Sequence, residues 1–255
     1  MTDYSHRLFI AFAAEDRFAI AEPLVYHLKN YGVNVWYDRH SLLLGDNRVG
    51  KNLDDGARLS PYACIIISKH TIASRCAMEE ISIIRKRYRE HDVVVFPVLY
   101  EFSPEDIPCD LYWVKEVIYK EVAKGSGTRE TCNHIACKIS ENMLMRHPVK
   151  SISDFITLLP TYTSATRGIL CSYEKIDHAN LNSRISLLYA VYIILTCANH
   201  FPQNTEVHFA QQVFNRLFSE TQLNIAIDYR EIWLLENALC ILANHYLSIN
   251  MESSI

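Results

Sequence analysis

Polar and charged side chains follow the ends of several predicted strands, where a side chain can reach a ligand. Asp38 and Asp46 could steer a bound ligand, but aspartate also caps turns, and the residue types leave both interpretations open. Ser68 ends a predicted apolar strand, so its hydroxyl could bond to a ligand or cap the next helix. Arg48 could contact a phosphate, although a surface arginine is the default interpretation.

Glu80 is a candidate of another kind, because it lies on a predicted helix over residues 71–90. Ile81 and Ile84 define the apolar face of that helix, and Glu80 precedes it at its border. A carboxylate there can stabilise developing positive charge. Periodicity alone favours an ion pair with Arg87 or exposure to water, since the helix is charged. The stretch 85–89, with four basic residues, forms either a solvated face or a patch that attracts an anionic partner.

The first part of the chain alternates predicted strands and helices. The helices follow apolar periodicity over 16–31, 49–60, 71–90 and 128–146, with Gly32 ending the first and a loop over 39–47. The predicted strands span 7–13, 33–37, 62–67, 93–100 and 116–122. This order predicts an α/β fold with a flavodoxin-like five-stranded parallel sheet, whose ligands bind beyond the carboxyl ends of the strands. Receiver domains share this topology, but they need an acidic residue at the end of the third strand. Ser68 stands there instead, which argues against a receiver domain.

The composition changes near residue 148. Six of the seven glycines precede it, and Pro148 disfavours helix in the residue before it. Residues beyond it show no strand alternation and predict four or five helices, among them 185–198, 206–218 and 229–247. We therefore predict one domain over 1–147 and an all-α domain over 151–255.

The composition of the chain argues against several classes of function. A net charge of −4 argues against a general nucleic-acid binder, because phosphate contacts need clustered Lys and Arg. The eight cysteines lack zinc-site spacing, so we predict no metal site and reduced thiols in a cytoplasmic protein without a secretory signal. The longest apolar run, 185–198, is shorter than the ~20 residues needed to span a bilayer, and we predict no membrane segment.

Four stretches of residues 1–147 resemble the Toll/interleukin-1 receptor (TIR) family. The strand and acidic turn over 7–16 resemble its first box, and Val35-Trp-Tyr-Asp38 resembles its second strand. Leu42-Leu-Leu-Gly45-Asp46 resembles its second box. The strand end Ile65-Ile-Ile-Ser68 and the later Ser74-Arg-Cys-Ala-Met-Glu-Glu80-Ile81 resemble the family pattern S-x-x-Y-x-x-S-x-W-C-x-x-E-L.

The resemblance implies cleavage of NAD⁺ at the bond between nicotinamide and ribose. Some TIR domains do this with a glutamate on the helix after the third strand, and the spacing of Ser68 and Ser74 assigns that position to Glu80 rather than Glu79. Breaking this bond leaves positive charge on the ribose, which a carboxylate can stabilise as in glycosidases. NAD⁺ enters as substrate, so no separate cofactor is expected.

The same resemblance implies a set of substrate contacts around Glu80. They are Phe12, Ala13, Asp38, Gly45, Asp46, Arg48, Ser68 and Cys76. The sequence departs from the family pattern at several of these places. Cys76 replaces an aromatic residue, Leu44 stands where proline is common, and alanines occupy 11, 13 and 14.

Two functions follow from the resemblance. The first is an NAD⁺ glycohydrolase that releases nicotinamide and ADP-ribose, or a cyclic ADP-ribose, in defence against phage. Its activity would depend on self-association through the TIR and helical domains and on a protein or nucleotide trigger. The second is a scaffold that signals by TIR–TIR association without catalysis; Cys76 favours it, whereas the glutamate in register favours the enzyme.

Overall fold

A computed structural model describes residues 5–47, 49–159 and 163–252. Contacts divide the chain into two compact units. The α/β unit comprises 1–29 and 33–135, and the helical unit comprises 30–32 and 136–255. The domain limits expected from the sequence, 1–147 and 151–255, stay a prediction, because grouping by contacts does not test which segment folds independently.

Five parallel strands form the sheet of the α/β unit, in the order β2-β1-β3-β4-β5. This order is the predicted flavodoxin-like arrangement, and it confirms the fold class. The third strand is buried along its whole length, as expected for a strand covered on both faces. The strands are β1 Leu8–Ala11, β2 Val35–Trp36, β3 Tyr62–Ile67, β4 Val94–Tyr100 and β5 Lys120–Val122.

Regular helices and irregular turns connect these strands. The irregular ones are 3₁₀ turns at Ala14–Asp16, Pro104–Asp106 and Cys109–Glu116, and wide π-type turns at Arg17–Ala21 and Val49–Ala57. The helices are α1 Glu22–Asn30, α2 Asp38–Ser41, α3 Lys69–Ala73, α4 Arg75–Arg89 and α5 Thr128–Leu144, the last crossing the division between the units.

Several sequence expectations differ from the structure. The helix expected over 49–60 is the π-type turn Val49–Ala57. The single helix expected over 71–90 is two helices, because Ser74 is extended and its hydroxyl caps α4 at the amide of Ala77, 3.3 Å away. The loop expected over 39–47 overlaps α2, which ends at Ser41. The strand expected over 116–122 starts at Lys120, since a 3₁₀ segment that buries Leu111 and Trp113 occupies the residues before it.

The core of the α/β unit holds α4 against the sheet. Ile81 and Ile84 are buried in one cluster with Phe9, Ile65 and other apolar residues of the sheet. Trp36 packs at the edge of this cluster. The apolar face predicted for the helix is therefore confirmed, and it fixes the rotation of α4 about its axis.

The described part of the helical unit contains five helices beyond α5, in agreement with the predicted four or five. They are α6 Ile152–Leu158, α7 Ser164–Lys175, α8 Leu181–Ala198, α9 Thr205–Gln222 and α10 Tyr229–Glu252. Among the described residues, one stretch, Tyr229–Ile249, is long and apolar enough by length and composition to cross a membrane. Because 67% of that stretch is buried within the protein, it has the character of a core helix.

Candidate functional site

Glu80 is buried, with 7% of its surface exposed, although it lies on a helix rich in charged residues. Its Oε1 accepts a hydrogen bond of 2.7 Å from Nδ2 of Asn52. Arg87, further along the same helix, pairs with Asp92 at 2.8 Å and donates to the carbonyl oxygen of Ala57 at 2.7 Å. Glu80 therefore does not lie on a solvated face, which was the alternative that periodicity favoured.

Asn52 connects Glu80 to the edge of the sheet. It is buried in the π-type turn Val49–Ala57, and its Oδ1 accepts a hydrogen bond of 3.2 Å from Nε1 of Trp36. The turn comes close to Trp36 at Gly56, where an added Cβ would lie 2.6 Å from Nε1. The guanidinium of Arg7 covers the Trp36 ring at 4.8 Å from its centroid. An indole and a carboxamide thus orient the Glu80 carboxylate.

A second buried carboxylate, Asp16, lies beyond the carboxyl end of β1. Its Oδ2 accepts a hydrogen bond of 2.5 Å from the hydroxyl of Ser68. The same hydroxyl accepts from the amides of His70 and Thr71, at 3.0 and 3.1 Å, and so caps α3. Burial, with further contributions from the charges of Glu101 and Asp16, raises the pKa of Tyr100. The helix-capping role considered for Ser68 is confirmed, and its hydroxyl is engaged in the fold.

Phe12 and Ala13 follow β1. The Phe12 ring is half-buried and stacks on Tyr37 with 5.5 Å between centroids, whereas Ala13 is fully buried before a 3₁₀ turn. The Tyr37 hydroxyl donates to Oε1 of Glu22 at 3.2 Å. Burial and the charge of Glu22 raise the pKa of Tyr37 to about 12. Phe12 therefore contributes to a small aromatic contact beside the end of the strand.

Helix α2 and the loop after it carry the remaining acidic candidates. The Oδ2 of Asp46 accepts from the amide of Leu43 at 2.8 Å and from Nζ of Lys51 at 2.9 Å. These two donors lower the pKa of Asp46, and Gly45 beside it has a φ of +95°, which favours glycine. Asp46 thus caps a turn, and Asp38 is the first residue of α2. Arg48 lies outside the described residues.

Cys76 is exposed in the first turn of α4. It stands four residues before Glu80, and residues at this spacing are neighbours on a helix surface. The site around Glu80 therefore combines a buried carboxylate, a carboxamide, an indole and a thiol. The sequence pattern did not indicate the roles of Asn52 and Trp36. Asn52 carries no signal in the sequence, and Trp36 is typical of a core aromatic residue.

Known proteins are similar to the part of the chain that contains this site. A model of the TIR domain family matches residues 8–132. The 2' cyclic ADP-D-ribose synthase AbTIR of Acinetobacter baumannii is 29% identical over 106 residues, which cover 42% of this chain and 39% of that protein. The NAD(+) hydrolase TcpC of Escherichia coli O6:H1 is 28% identical over 100 residues, covering 39% of this chain and 32% of that protein. The matches thus span less than half of either relative.

The solved structures that resemble this chain include the TIR domain of the Toll-related receptor TRR-2 from Hydra magnipapillata. The two are 17% identical with a TM-score of 0.37, over 55% of this chain and 94% of the receptor domain.

Proposed function

Because residues 8–132 form a TIR domain related to those of NAD-cleaving bacterial proteins, we propose that this unit breaks the bond between nicotinamide and ribose in NAD⁺. Glu80 is the catalytic carboxylate of this proposal. The observation that carries it is the buried Glu80 side chain, which the Asn52 amide holds by one oxygen. The activities for which the relatives are named support NAD⁺ as the substrate.

The chemistry needs one negative group near the ribose. As the C–N bond breaks, its electron pair leaves with neutral nicotinamide, and positive charge develops on the ribose ring. A carboxylate in a site with little water stabilises that charge more strongly than one in bulk solvent. The Asn52 amide donates to Oε1, and we assign the Glu80 carboxylate to the ribose.

The product depends on what captures the ribose cation. Water adds to it and loses a proton to give ADP-ribose, whereas a hydroxyl of the same molecule closes a cyclic ADP-ribose. Relatives of both kinds are known, since AbTIR is a synthase of the cyclic product and TcpC is a hydrolase. Both outcomes require the same initial bond cleavage and the same role of Glu80.

We include activation by association and a cytoplasmic role in phage defence in this proposal. Substrate must reach a carboxylate that is only 7% exposed, so the turn that carries Asn52 has to move relative to α4 before catalysis. Self-association of TIR domains is a means of stabilising the open arrangement. The free cysteines agree with a reducing compartment.

A non-catalytic scaffold is the second candidate function. The exposed side chains of Leu43 and Leu44, in the loop after α2, favour it, because exposed apolar residues are typical of interaction surfaces. Cys76 favours it as well, since the TIR family pattern has an aromatic residue at that position. In this alternative Glu80 serves only the packing of α4.

Release of nicotinamide distinguishes the two functions. The full chain is incubated with NAD⁺ at increasing protein concentration, and nicotinamide is measured by chromatography. Glu80→Gln is expected to lower the rate by about 10²-fold or more, as for loss of one group that stabilises the transition state. Glu79→Gln, an exposed neighbour with the same change of charge, is expected to keep the rate. Equal rates in the two variants, or no release at any concentration that produces assembly, would leave the scaffold as the function.

A further inference from the structure

Two imidazoles and a carboxylate meet in the helical unit. His147 lies just after α5, Glu206 lies in the first turn of α9, and His245 lies near the end of α10. The Oε2 of Glu206 is 2.9 Å from Nε2 of His147 and 3.1 Å from Nε2 of His245. The two imidazole rings meet edge to face with centroids 5.8 Å apart. Three separate segments therefore direct nitrogen and oxygen ligand atoms at one point.

The spacing of these atoms matches a metal site. All three ligand atoms lie within 4.8 Å of one another. In a tetrahedral zinc site with bonds of about 2.0–2.2 Å, neighbouring ligand atoms lie roughly 3.3–3.5 Å apart. The two N–O distances, 2.9 and 3.1 Å, are a few tenths of an ångström shorter than this value. A central ion therefore requires only small rotations of the side chains.

Buried groups hold two of the three ligands in place. Asn244, beside His245, accepts from the Val149 amide at 3.0 Å and donates to the Val149 carbonyl oxygen at 2.8 Å. Asn244 is 4% exposed, so this clamp fixes the segment that carries His147 against α10. The site is organised before any ion arrives, which lowers the entropic cost of binding.

The third ligand is placed by the start of α9. Asn204 caps this helix through a bond of 2.8 Å from the Val207 amide, and Glu206 stands in its first turn. The side chains of His147, Glu206 and His245 are 23%, 20% and 16% exposed. This partial exposure leaves a route for an ion from solvent, whereas full burial would not.

We infer that His147, Glu206 and His245 bind a zinc ion. Imidazole and carboxylate are ligands that Zn²⁺ accepts, and three protein ligands leave a fourth position for water. On binding, each imidazole turns its Nε2 lone pair to the metal and carries its proton on Nδ1. The ion ties α9, α10 and the segment after α5 together, so it stabilises the helical unit. This inference does not depend on NAD⁺ cleavage by the α/β unit.

The test uses the full chain and Zn²⁺ alone. After treatment with a chelator and dialysis, bound zinc is measured by calorimetry and elemental analysis, and the melting temperature is recorded with and without Zn²⁺. We expect one ion per chain and a higher melting temperature with zinc. His245→Ala and Glu206→Gln are expected to lower the affinity by about 10²-fold or more and to remove the zinc-dependent rise in melting temperature. Glu206→Gln preserves the side-chain shape, and circular dichroism verifies that each variant folds.

His208→Ala is the matched control, because His208 is an exposed residue of the same helix as Glu206. It is expected to bind zinc as the original chain does. Co²⁺ separates this site from the exposed thiols of Cys76, Cys109 and Cys197, because only thiolate ligands produce an intense sulfur-to-cobalt band. Absence of stoichiometric binding, equal affinity in His245→Ala and Glu206→Gln, or a spectrum with thiolate ligation would each overturn the inference.

Discussion

The neutral donors to Glu80 and Asp16 in the α/β unit contrast with the guanidinium and imidazole partners of Glu236 and Glu206 in the helical unit. In the α/β unit, a neutral amide donates to Glu80 and a neutral hydroxyl donates to Asp16. In the helical unit, Glu236 meets the guanidinium of Arg184 at 2.6 Å, and Glu206 meets two imidazoles. Neutral donors orient a carboxylate without cancelling its charge, whereas a guanidinium neutralises it within the fold. Glu236 therefore serves the stability of its unit, while the role we propose for Glu80 uses a carboxylate that accepts a hydrogen bond from a neutral amide.

The largest expected effect in this comparison is on the buried ion pair of the helical unit. Arg184 has a side chain only 2% exposed and also donates through Nε to the Tyr173 hydroxyl at 2.9 Å. Arg184→Met leaves Glu236 without its cation, and we expect the free energy of unfolding in urea to fall by about 3 kcal/mol. Lys138→Met, at the exposed pair with Glu141, is the control and should cost less than about 0.5 kcal/mol. Equal losses in both variants would contradict a stabilising role of the buried pair.

Asn52→Asp changes the neutral partner of Glu80 into a charged one. The introduced carboxylate raises the pKa of Glu80 because two like charges would lie within hydrogen-bond distance. The proposed cleavage uses ionised Glu80, so we expect the acidic limb of the rate profile to move to higher pH and the rate at pH 7 to fall about 10- to 100-fold. Asn34→Asp, at an exposed position, adds the same charge and should leave the profile unchanged. An unshifted profile in Asn52→Asp would separate Glu80 from the reaction.

Ser68→Ala tests whether Asp16, the second buried carboxylate of the α/β unit, has a structural role. The substitution removes the cap of α3 and the donor to Asp16, so the free energy of unfolding should fall by about 2 kcal/mol. Below the melting temperature, the Michaelis constant for NAD⁺ should remain unchanged, because the hydroxyl is already engaged in the fold. A higher Michaelis constant at unchanged stability would instead assign Ser68 to the substrate.

The smallest expected effect concerns Tyr37, whose pKa is raised to about 12 by burial and Glu22. Between pH 10 and 12 the unfolded chain loses this proton while the folded chain keeps it, so stability falls as pH rises. Tyr37→Phe should remove about 1 kcal/mol of that loss at pH 11, measured by urea unfolding across this range. Tyr26→Phe, at an exposed tyrosine, should leave the pH dependence unchanged.

The strand pattern and the helix period determined the fold of the α/β unit. An apolar strand buried on both faces needs no knowledge of its neighbours to be recognised, and β3 has the bounds expected for it. The face of α4 followed from Ile81 and Ile84 for the same local reason. The division of the expected helix at Ser74 was missed, because a serine inside a helical pattern is compatible with both a cap and a helix interior.

The sites show the limit of such local reasoning. The resemblance to the TIR family pattern at Ser68, Ser74 and Glu80 assigned Glu80 from one stretch of sequence. Asn52 lies 28 residues away and reaches Glu80 only in the folded chain. His147 and Glu206 are 59 residues apart, and His245 lies 39 residues beyond Glu206. The sequence predicted no metal site because the cysteines lacked zinc-site spacing, and the three residues of the proposed zinc site are too far apart in the sequence to form a motif.

The sequence by itself determined the parallel sheet, the buried face of α4 and the helical character of the second unit. Those features depend on continuous apolar runs for the buried strands and on the 3.6-residue period of the helices, which are local properties of the chain. Only the tertiary structure decided that Glu80 is buried against Asn52 and that His147, Glu206 and His245 converge. Packing between distant segments sets which side chains meet, and no local period encodes that choice.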